Sequence, residues 1–154
     1  MKYDLNALRD LEKQVIECVD IAIEAGLDSS EGLNAFKLGM EKFNASADLK
    51  SRLIYEPLAD DPATRDYVTR LDDQLFGLSE RIDILRAYIE LTIDGQDMET
   101  DTLELSLHRL RRRLLVMFRR EAALGPVFEA WCKRHDRVLP DIADPMTSGV
   151  TVFH

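Results

Sequence analysis

The chain has 154 residues, of which 45% are hydrophobic and 32% are charged, and its net charge at pH 7 is −9. This composition excludes a disordered chain, and the length suits one domain with its own hydrophobic core. The acidic balance argues against general nucleic-acid binding, which depends on clustered Lys and Arg side chains. The longest wholly apolar run, residues 114–118, is far too short to cross a bilayer.

The N-terminal sequence MKYDLNALRD has no apolar segment of the kind found in secretory signals. The two cysteines, Cys18 and Cys132, are far apart and form no CxxC pattern. Reduced, partly buried thiols are therefore a stronger interpretation than a disulfide, although a disulfide stays open in principle. We expect a cytoplasmic protein without a membrane segment.

A first helix is predicted from about Leu5 to Ala25, with Asp4 as its N-cap. Gly26 supplies the residue at which such a helix stops. Its predicted core face consists of Leu8, Leu11, Val15, Val19 and Ala22.

A second helix is predicted to start at a capping box formed by Asp28 and Glu31. Gly32 and Gly39 disfavour a helix by about 1 kcal/mol each relative to alanine, but they permit a close helix crossing. The apolar stripe of this helix consists of Leu33, Phe36, Met40 and Phe43.

The end of this second helix is predicted to be interrupted. Residues 44–48 form a weak point, and residues 49–55 are expected to make a separate short helix. Pro57 should end that short helix, because proline lacks an N–H group and disfavours helix in the residue before it.

A helical hairpin over residues 61–121 is the strongest pattern in the chain. Asp61 and Pro62 are the expected N-cap and first residue of one helix. Asp101 and Glu104 are the expected capping box of the next, with a turn at 94–97 between the two. Apolar residues at alternating steps of three and four form one seam per helix. These are Val68, Leu71, Leu75, Leu78, Ile82, Leu85 and Ile89 in the first helix, and Leu103, Leu107, Leu110, Leu114 and Met117 in the second.

A short fifth helix is predicted to open at Gly125-Pro126 and to end before Pro140. Phe128, Trp131, His135 and Val138 should share one packed face of it, in which His135 is a packed ring and not a general base.

Together these patterns predict an all-α fold, an up-and-down antiparallel helical bundle of four main helices plus short helical pieces around a central helical hairpin. Because the loops are short and no internal repeat or linker divides the chain, residues 1–145 are expected to form one domain. Residues 146–154 are expected to be a C-terminal tail.

Arginines beside the hairpin seams are the first candidate site. In a heptad register, Arg81 and Arg113 both occupy g positions, and antiparallel helices bring these positions together. Like charges in contact are unfavourable unless an anion lies between them. That anion could be a carboxylate of another helix, a phosphate-bearing ligand or a partner protein. The candidate anion-binding or partner-binding residues are Arg70, Arg81, Arg109, Arg113 and Arg120.

Apolar residues away from the seams are the second candidate site. A hairpin with an exposed back would not carry them, so they indicate further helices on both sides or a subunit interface. We therefore expect a homodimer. The candidate interface residues are Phe76, Ile84, Leu91, Leu105, Leu115 and Val116.

Motifs that would define a chemistry are missing from the sequence. Glu104 and His108 stand four residues apart, but they have no further partners of the kind that a metal site requires. The chain contains no glycine-rich phosphate loop and no nucleophile elbow. We therefore expect no catalytic residue, no metal site and no cofactor.

From these patterns we expect a non-enzymatic adaptor, regulatory or assembly protein that contacts a protein partner through its helix faces. The alternative is a helical enzyme or ligand-binding protein that uses the arginines to bind an anionic small molecule. The two hypotheses make different structural predictions. A ligand-binding protein should have a pocket with convergent polar groups, whereas an adaptor should have a filled core and an exposed apolar or charged groove.

Overall fold

The computed structural model describes residues 5–93 and 100–135, apart from the side chains of residues 91–93, 100 and 101. This part of the chain is helical except for short turns, which confirms the all-α prediction, and its helices pack as a bundle. The elements in chain order are α1 (Asn6–Ala25), α2 (Ser30–Lys50), a π-helix (Ser51–Tyr55), α3 (Glu56–Asp60), α4 (Arg65–Ile93), α5 (Thr100–Ala122) and α6 (Leu124–Arg134).

Helices α1 and α2 form a tight antiparallel hairpin because two glycines let their backbones approach closely. A β-carbon at Gly39 would lie 2.8 Å from the β-carbon of Cys18, and one at Gly32 would lie 1.9 Å from the carbonyl oxygen of Gly26. The predicted close helix crossing is therefore confirmed at Gly39, whereas Gly32 permits the tight turn between the two helices. Gly26 itself ends α1 with φ at 84°, a conformation that glycine adopts readily.

The N-cap of α2 is Ser29 and not Asp28, so the predicted capping box of Asp28 and Glu31 is wrong, and Gly32, three residues after Ser29, has no side chain to complete another. The Oγ atom of Ser29 accepts a hydrogen bond from the N–H of Gly32 at 3.0 Å. The same hydroxyl donates to the carbonyl oxygen of Gly26 at 2.8 Å. Ser29 therefore caps α2 and closes the preceding turn at once, whereas the side chain of Asp28 is exposed.

The chain does not break at residues 44–48, which corrects the sequence prediction. Helix α2 continues to Lys50 and passes directly into the π-helix. Pro57 does not end this helical segment either, because it lies in the first turn of α3, where its missing N–H costs little. Local propensity is overridden here by burial, since Leu49, Leu53 and Leu58 all lie in the core.

The central hairpin is formed by α4 and α5, and every residue of its two predicted seams is buried. Helix α4 begins at Arg65, three residues later than Pro62, because Asp61 closes a turn first. The Oδ1 atom of Asp61 accepts from the N–H of Ala63 at 2.9 Å, and its carbonyl oxygen accepts from that of Arg65 at 3.0 Å. The predicted turn at 94–97 and the side chain of Asp101 lie outside the described residues.

The two hairpins meet where α5 packs against α1. The Nε atom of Arg111 donates to Oδ1 of Asp20 at 2.5 Å across this contact. The core therefore runs on both sides of α5, towards α4 on one side and towards α1 and α2 on the other.

Helix α6 docks on the bundle through its predicted aromatic face. The Trp131 ring stacks on Phe128, with ring centroids 6.0 Å apart, and on His135 at 4.5 Å. Nδ1 of His135 lies 2.9 Å from the carbonyl oxygen of Trp131, which is the predicted local partner. His135 itself is exposed at the end of α6, so its ring is not packed into the core as Phe128 and Trp131 are. The Nη2 atom of Arg134 donates a hydrogen bond to Oδ2 of Asp61 at 2.8 Å. Three sequence predictions lie outside the described residues. They are the packing of Val138, the end of the fifth helix before Pro140 and the domain boundary at 145/146.

No helix in the described ranges, 5–93 and 100–135, combines the length and the apolar character needed to cross a membrane.

Candidate functional site

Three polar side chains form a buried, hydrogen-bonded group at one end of the bundle. Nζ of Lys50 donates to Oε1 of Glu121 at 2.6 Å, and the hydroxyl of Tyr55 donates to Oε2 of the same carboxylate. The side chains of Lys50 and Glu121 are only 4% and 5% exposed. Both oxygens of Glu121 therefore have partners, as a carboxylate requires when it is removed from water.

A second carboxyl group, that of Glu12, lies on the other side of Lys50. Its Oε2 atom is 4.0 Å from Nζ of Lys50, and its side chain is 13% exposed. Burial raises the pKa of Glu12 from 4.5 to about 7. The nearby charge of Glu121 raises it as well, while Lys50 and Arg9 act in the opposite direction. Glu12, Lys50, Tyr55 and Glu121 are called the polar cluster below.

Lys50 makes one further contact, and Tyr55 keeps its proton. Nζ of Lys50 lies over the ring of Phe118, 5.0 Å from its centroid, which is a cation–π geometry. Burial raises the pKa of Tyr55, and the neighbouring Glu121 carboxylate raises it further. The phenol therefore stays protonated and serves as a hydrogen-bond donor to Glu121.

The π-helix places Lys50 and Tyr55 on the same side of the chain. Residues five apart in an α-helix point in different directions, because each residue turns by about 100°. The π-helix is wider than an α-helix, because its hydrogen bonds join residues five apart, such as the one from the N–H of Glu56 to the carbonyl oxygen of Ser51. It turns less per residue, so Lys50 and Tyr55 both reach Glu121. Short π-helices occur frequently at functional sites.

An open pocket of about 470 Å³ adjoins the polar cluster. Its volume lies within the range typical of small-molecule sites, about 300–1,000 Å³. Helices α1, α5 and α6 and the end of α2 with the π-helix surround it. All four residues of the polar cluster line it, and Arg9, Lys13 and Glu17 add charged groups of α1. The apolar wall residues are Leu5, Leu8, Ile16, Ile54, Leu115, Phe118, Ala122 and Leu124.

The arrangement combines an apolar enclosure with a few fixed polar groups, which is the composition of a typical ligand site. Glu12 can hold or release a proton near neutral pH, since its pKa is about 7. Lys50 offers three N–H donors, of which Glu121 takes one. The pocket can therefore enclose an apolar body and bind a polar group at one end of it. Within the described residues, no three His, Cys, Asp or Glu side chains are grouped so as to hold a metal ion.

The arginines proposed from the sequence lie elsewhere, along α4 and α5. Arg81, Arg113 and Arg120 line a groove of about 300 Å³ between these helices, together with Gln74, which accepts a hydrogen bond from Arg120 at 2.7 Å. Partial desolvation lowers the pKa of Arg113, and the charges of Arg81 and Arg109 lower it further. The expected approach of Arg81 and Arg113 is therefore present.

No carboxylate in the described part of the chain lies within 4.0 Å of Arg81, Arg109 or Arg113. Arg70 is not part of the groove, and its Nε atom lies 3.4 Å from the backbone oxygen of Asp66 one turn earlier. The groove therefore gathers three of the five proposed arginines, and Arg109 acts on it electrostatically.

The apolar interface candidates divide into two sets. Phe76, Ile84, Leu105 and Val116 are exposed on α4 and α5, and Val116 lines the arginine groove. Leu115, by contrast, is half-buried and lines the pocket beside the polar cluster. The side chain of Leu91 lies outside the described part of the structure.

Sequence reasoning missed the polar cluster, although a signal for it was present. Glu121 continues the seam of α5 four residues after Met117, and Lys50 continues the stripe of α2 seven residues after Phe43. A charged residue at a core position of a helix is rarely left unpaired. Two such residues of opposite charge on different helices therefore indicate a buried pair.

Comparisons with protein-family models, with curated protein sequences and with solved structures found no match for this chain.

Proposed function

We propose that the protein binds a small, mainly apolar molecule in the pocket between α1, α5, α6 and the π-helix. The observation that carries this proposal is the opening of an apolar pocket onto buried ionisable groups. The side chains of Lys50 and Glu121 are only 4% and 5% exposed, yet both residues line an open pocket of about 470 Å³. A purely structural ion pair is normally enclosed by packed side chains, because burial of charge is unfavourable without full compensation.

This proposal differs from the ligand-binding alternative based on the arginines. The arginine groove is smaller, at about 300 Å³, and its arginines are exposed to solvent. The pocket is larger, and it combines apolar walls with convergent polar groups and a carboxyl group whose pKa is about 7. Pockets with this combination are the usual sites of small-molecule binding.

Titration with the apolar fluorophore 1-anilinonaphthalene-8-sulfonate tests the proposal. Leu115→Trp places a large side chain in the pocket wall and should abolish binding. Leu105→Trp is the matched control, because Leu105 lies on the same helix and is 50% exposed on its outer side. Binding that persists unchanged in Leu115→Trp, or no binding by the unmodified protein, would overturn the proposed function.

A second candidate function is contact with a protein through the outer faces of α4 and α5. One observation favours it: Arg81, Arg109 and Arg113 interact with no described carboxylate within 4.0 Å, and the exposed Val116 lines the same groove. This is the adaptor hypothesis, and the expected homodimer is its simplest form. Charge complementarity supports self-association, because α4 has exposed acidic residues such as Asp73 and Glu80, whereas α5 is basic.

Light scattering coupled to size exclusion tests the homodimer. A dimer should have about twice the chain mass of 17.6 kDa, and Val116→Glu should shift it towards the monomer. A monomer mass over a wide concentration range would eliminate the dimer and leave a foreign partner for the groove. A cytoplasmic location is part of the proposal, supported by the buried free thiols of Cys18 and Cys132.

A further inference from the structure

The ammonium group of Lys50 can donate more than one hydrogen bond. Lys50 has three N–H donors, and within the described residues only Glu121 lies at hydrogen-bond distance from its Nζ atom. Oε2 of Glu12 is the next nearest acceptor, at 4.0 Å, which is too long for a hydrogen bond. Because Lys50 also lines the pocket, its remaining N–H donors are available to a molecule bound there.

The spacing of Lys50 and Glu12 fits one oxygen atom between them. An ordinary charge-assisted hydrogen bond is about 2.8 Å long, so a single oxygen can lie within hydrogen-bond distance of two atoms 4.0 Å apart. Such an oxygen would accept from Lys50 and from the O–H of a protonated Glu12. Binding of an amine at this position is disfavoured. A cation that contacts Glu12 would lie a few ångströms from the Lys50 ammonium, and the two like charges would repel each other.

We infer that the pocket binds an apolar monocarboxylic acid, with its carboxyl group between Lys50 and Glu12 and its apolar part along the wall formed by α1 and α5. This inference rests on the proposed ligand-binding function and names the class of ligand. Arg9 and Lys13 line the same pocket and attract anions towards it.

Proton uptake accompanies this binding. If Glu12 were ionised, the ligand would bring a third carboxylate to a group that contains one ammonium, so the complex requires Glu12 in its protonated form. The proton forms the O–H bond of Glu12 and comes from solvent. The surrounding charged and titratable groups are Arg9, Lys13 and Glu17 on α1, Lys50 at the end of α2, Tyr55 in the π-helix and Glu121 on α5.

The direction of the pH dependence follows from the pKa of Glu12, which is about 7 in the free protein. Below this value the site already holds its proton, and the affinity for the acid changes little. Above it, binding must add a proton, so the affinity should fall by up to about tenfold for each further pH unit. An amine paired with ionised Glu12 would show the opposite dependence.

Isothermal titration calorimetry with three ligands of equal chain length tests the inference. Decanoic acid, decanol and decylamine share one apolar chain and differ only in the terminal group. At about pH 6.5 we expect decanoic acid to bind at least roughly tenfold more tightly than the other two. Its affinity should decrease by about tenfold or more at about pH 8.5. Equal affinities for the three ligands, or preference for decylamine, would overturn the inference while the proposed pocket function stands.

Variants separate the roles of the two polar groups. Glu12→Gln should abolish the pH dependence of decanoate binding, and Glu17→Gln, on the same helix and also at the pocket, should retain it. Lys50→Met should remove the advantage of the acid over the alcohol. If Lys50→Met does not fold, the ligand series on the unmodified protein and Glu12→Gln decide the question. If neither the three ligands nor 1-anilinonaphthalene-8-sulfonate binds, the proposed function itself is wrong.

Discussion

Nζ of Lys50 lies 2.6 Å from Oε1 of Glu121, although the two residues are separated by 71 positions in the sequence. This bond joins the end of α2 to the end of α5 inside the bundle, so it fixes how the two hairpins meet. Both residues also line the pocket, together with Tyr55 of the π-helix.

Removal of one partner of this buried pair should be strongly destabilising. Lys50→Met leaves the Glu121 carboxylate without its cation, and the free energy of unfolding should fall by about 3–5 kcal/mol. Adding Glu121→Gln to that variant should restore part of the loss, because it removes the unpaired charge. Arg52→Met is the control, since Arg52 and Asp48 form an exposed pair at 3.2 Å, and it should cost less than about 1 kcal/mol. Urea denaturation measures all of these variants, and similar losses at both sites would contradict the prediction.

Stability should depend on pH through Glu12. Its pKa in the folded protein is about 7 instead of 4.5, so between these values the folded state holds a proton that the unfolded chain has released. The free energy of unfolding therefore decreases as the pH rises from 4.5 to 7, by an amount on the order of 3 kcal/mol.

Glu12→Gln removes this contribution. As the pH rises from 4.5 to 7, the unmodified protein should lose the contribution of Glu12 to its free energy of unfolding, and Glu12→Gln should not. The variant should therefore become more stable relative to the unmodified protein over this range. Denaturation in urea at several pH values measures the difference, and Glu17→Gln provides an exposed control on the same helix. A difference that stays constant with pH would show that Glu12 titrates as an ordinary surface carboxyl group.

Two glycines should respond in opposite ways to the same substitution. Gly39→Ala places a methyl group 2.8 Å from the β-carbon of Cys18, and the resulting overpacking should cost about 1–3 kcal/mol. Gly77→Ala lies in α4 with nothing within 4 Å of its new methyl group. It should stabilise the protein by up to about 1 kcal/mol, because alanine favours the helix. Thermal melts followed by circular dichroism measure both changes, and equal effects would argue against the close approach of α1 and α2.

The arginine groove should make stability dependent on salt. Arg113 lies near Arg81 and Arg109 without a described carboxylate within 4.0 Å, so mutual repulsion should destabilise the free protein. Added sodium chloride should screen this repulsion and raise the melting temperature. Arg113→Ala should be at least as stable as the unmodified protein and should respond less to salt. Lower stability in Arg113→Ala, at any salt concentration, would mean that an internal anion compensates the groove.

Trp131 should report the docking of α6. Trp131 is the only tryptophan in the sequence, and only 6% of its surface is exposed in the folded protein. Its fluorescence emission should be blue-shifted in the folded protein and only weakly quenched by acrylamide, with the urea-unfolded chain as the reference. Red-shifted, freely quenched emission from the folded protein would place α6 in solvent and remove one wall of the pocket.

The sequence by itself determined the elements whose signal is periodic. The seams of α4 and α5 repeat every three or four residues, so their burial could be read directly from the spacing. The aromatic face of α6 was predictable because its residues lie three or four positions apart in the chain. The close crossing at Gly39 was predictable because glycine has no side chain to hold two helices apart. Likewise, the approach of Arg81 and Arg113 follows from the register of two neighbouring helices.

Only the tertiary structure decided what lies between distant segments. The continuation of α2 past residues 44–48 depends on packing against the rest of the core, which outweighs weak local propensity. The π-helix changes the direction of Tyr55 relative to Lys50, and no periodicity in the sequence announces it. The pKa of Glu12 is raised because the assembled helices bury its side chain, and the pocket beside it is formed by residues of five different elements. Such desolvation is a property of the assembled bundle, since it depends on residues that are far apart in the chain.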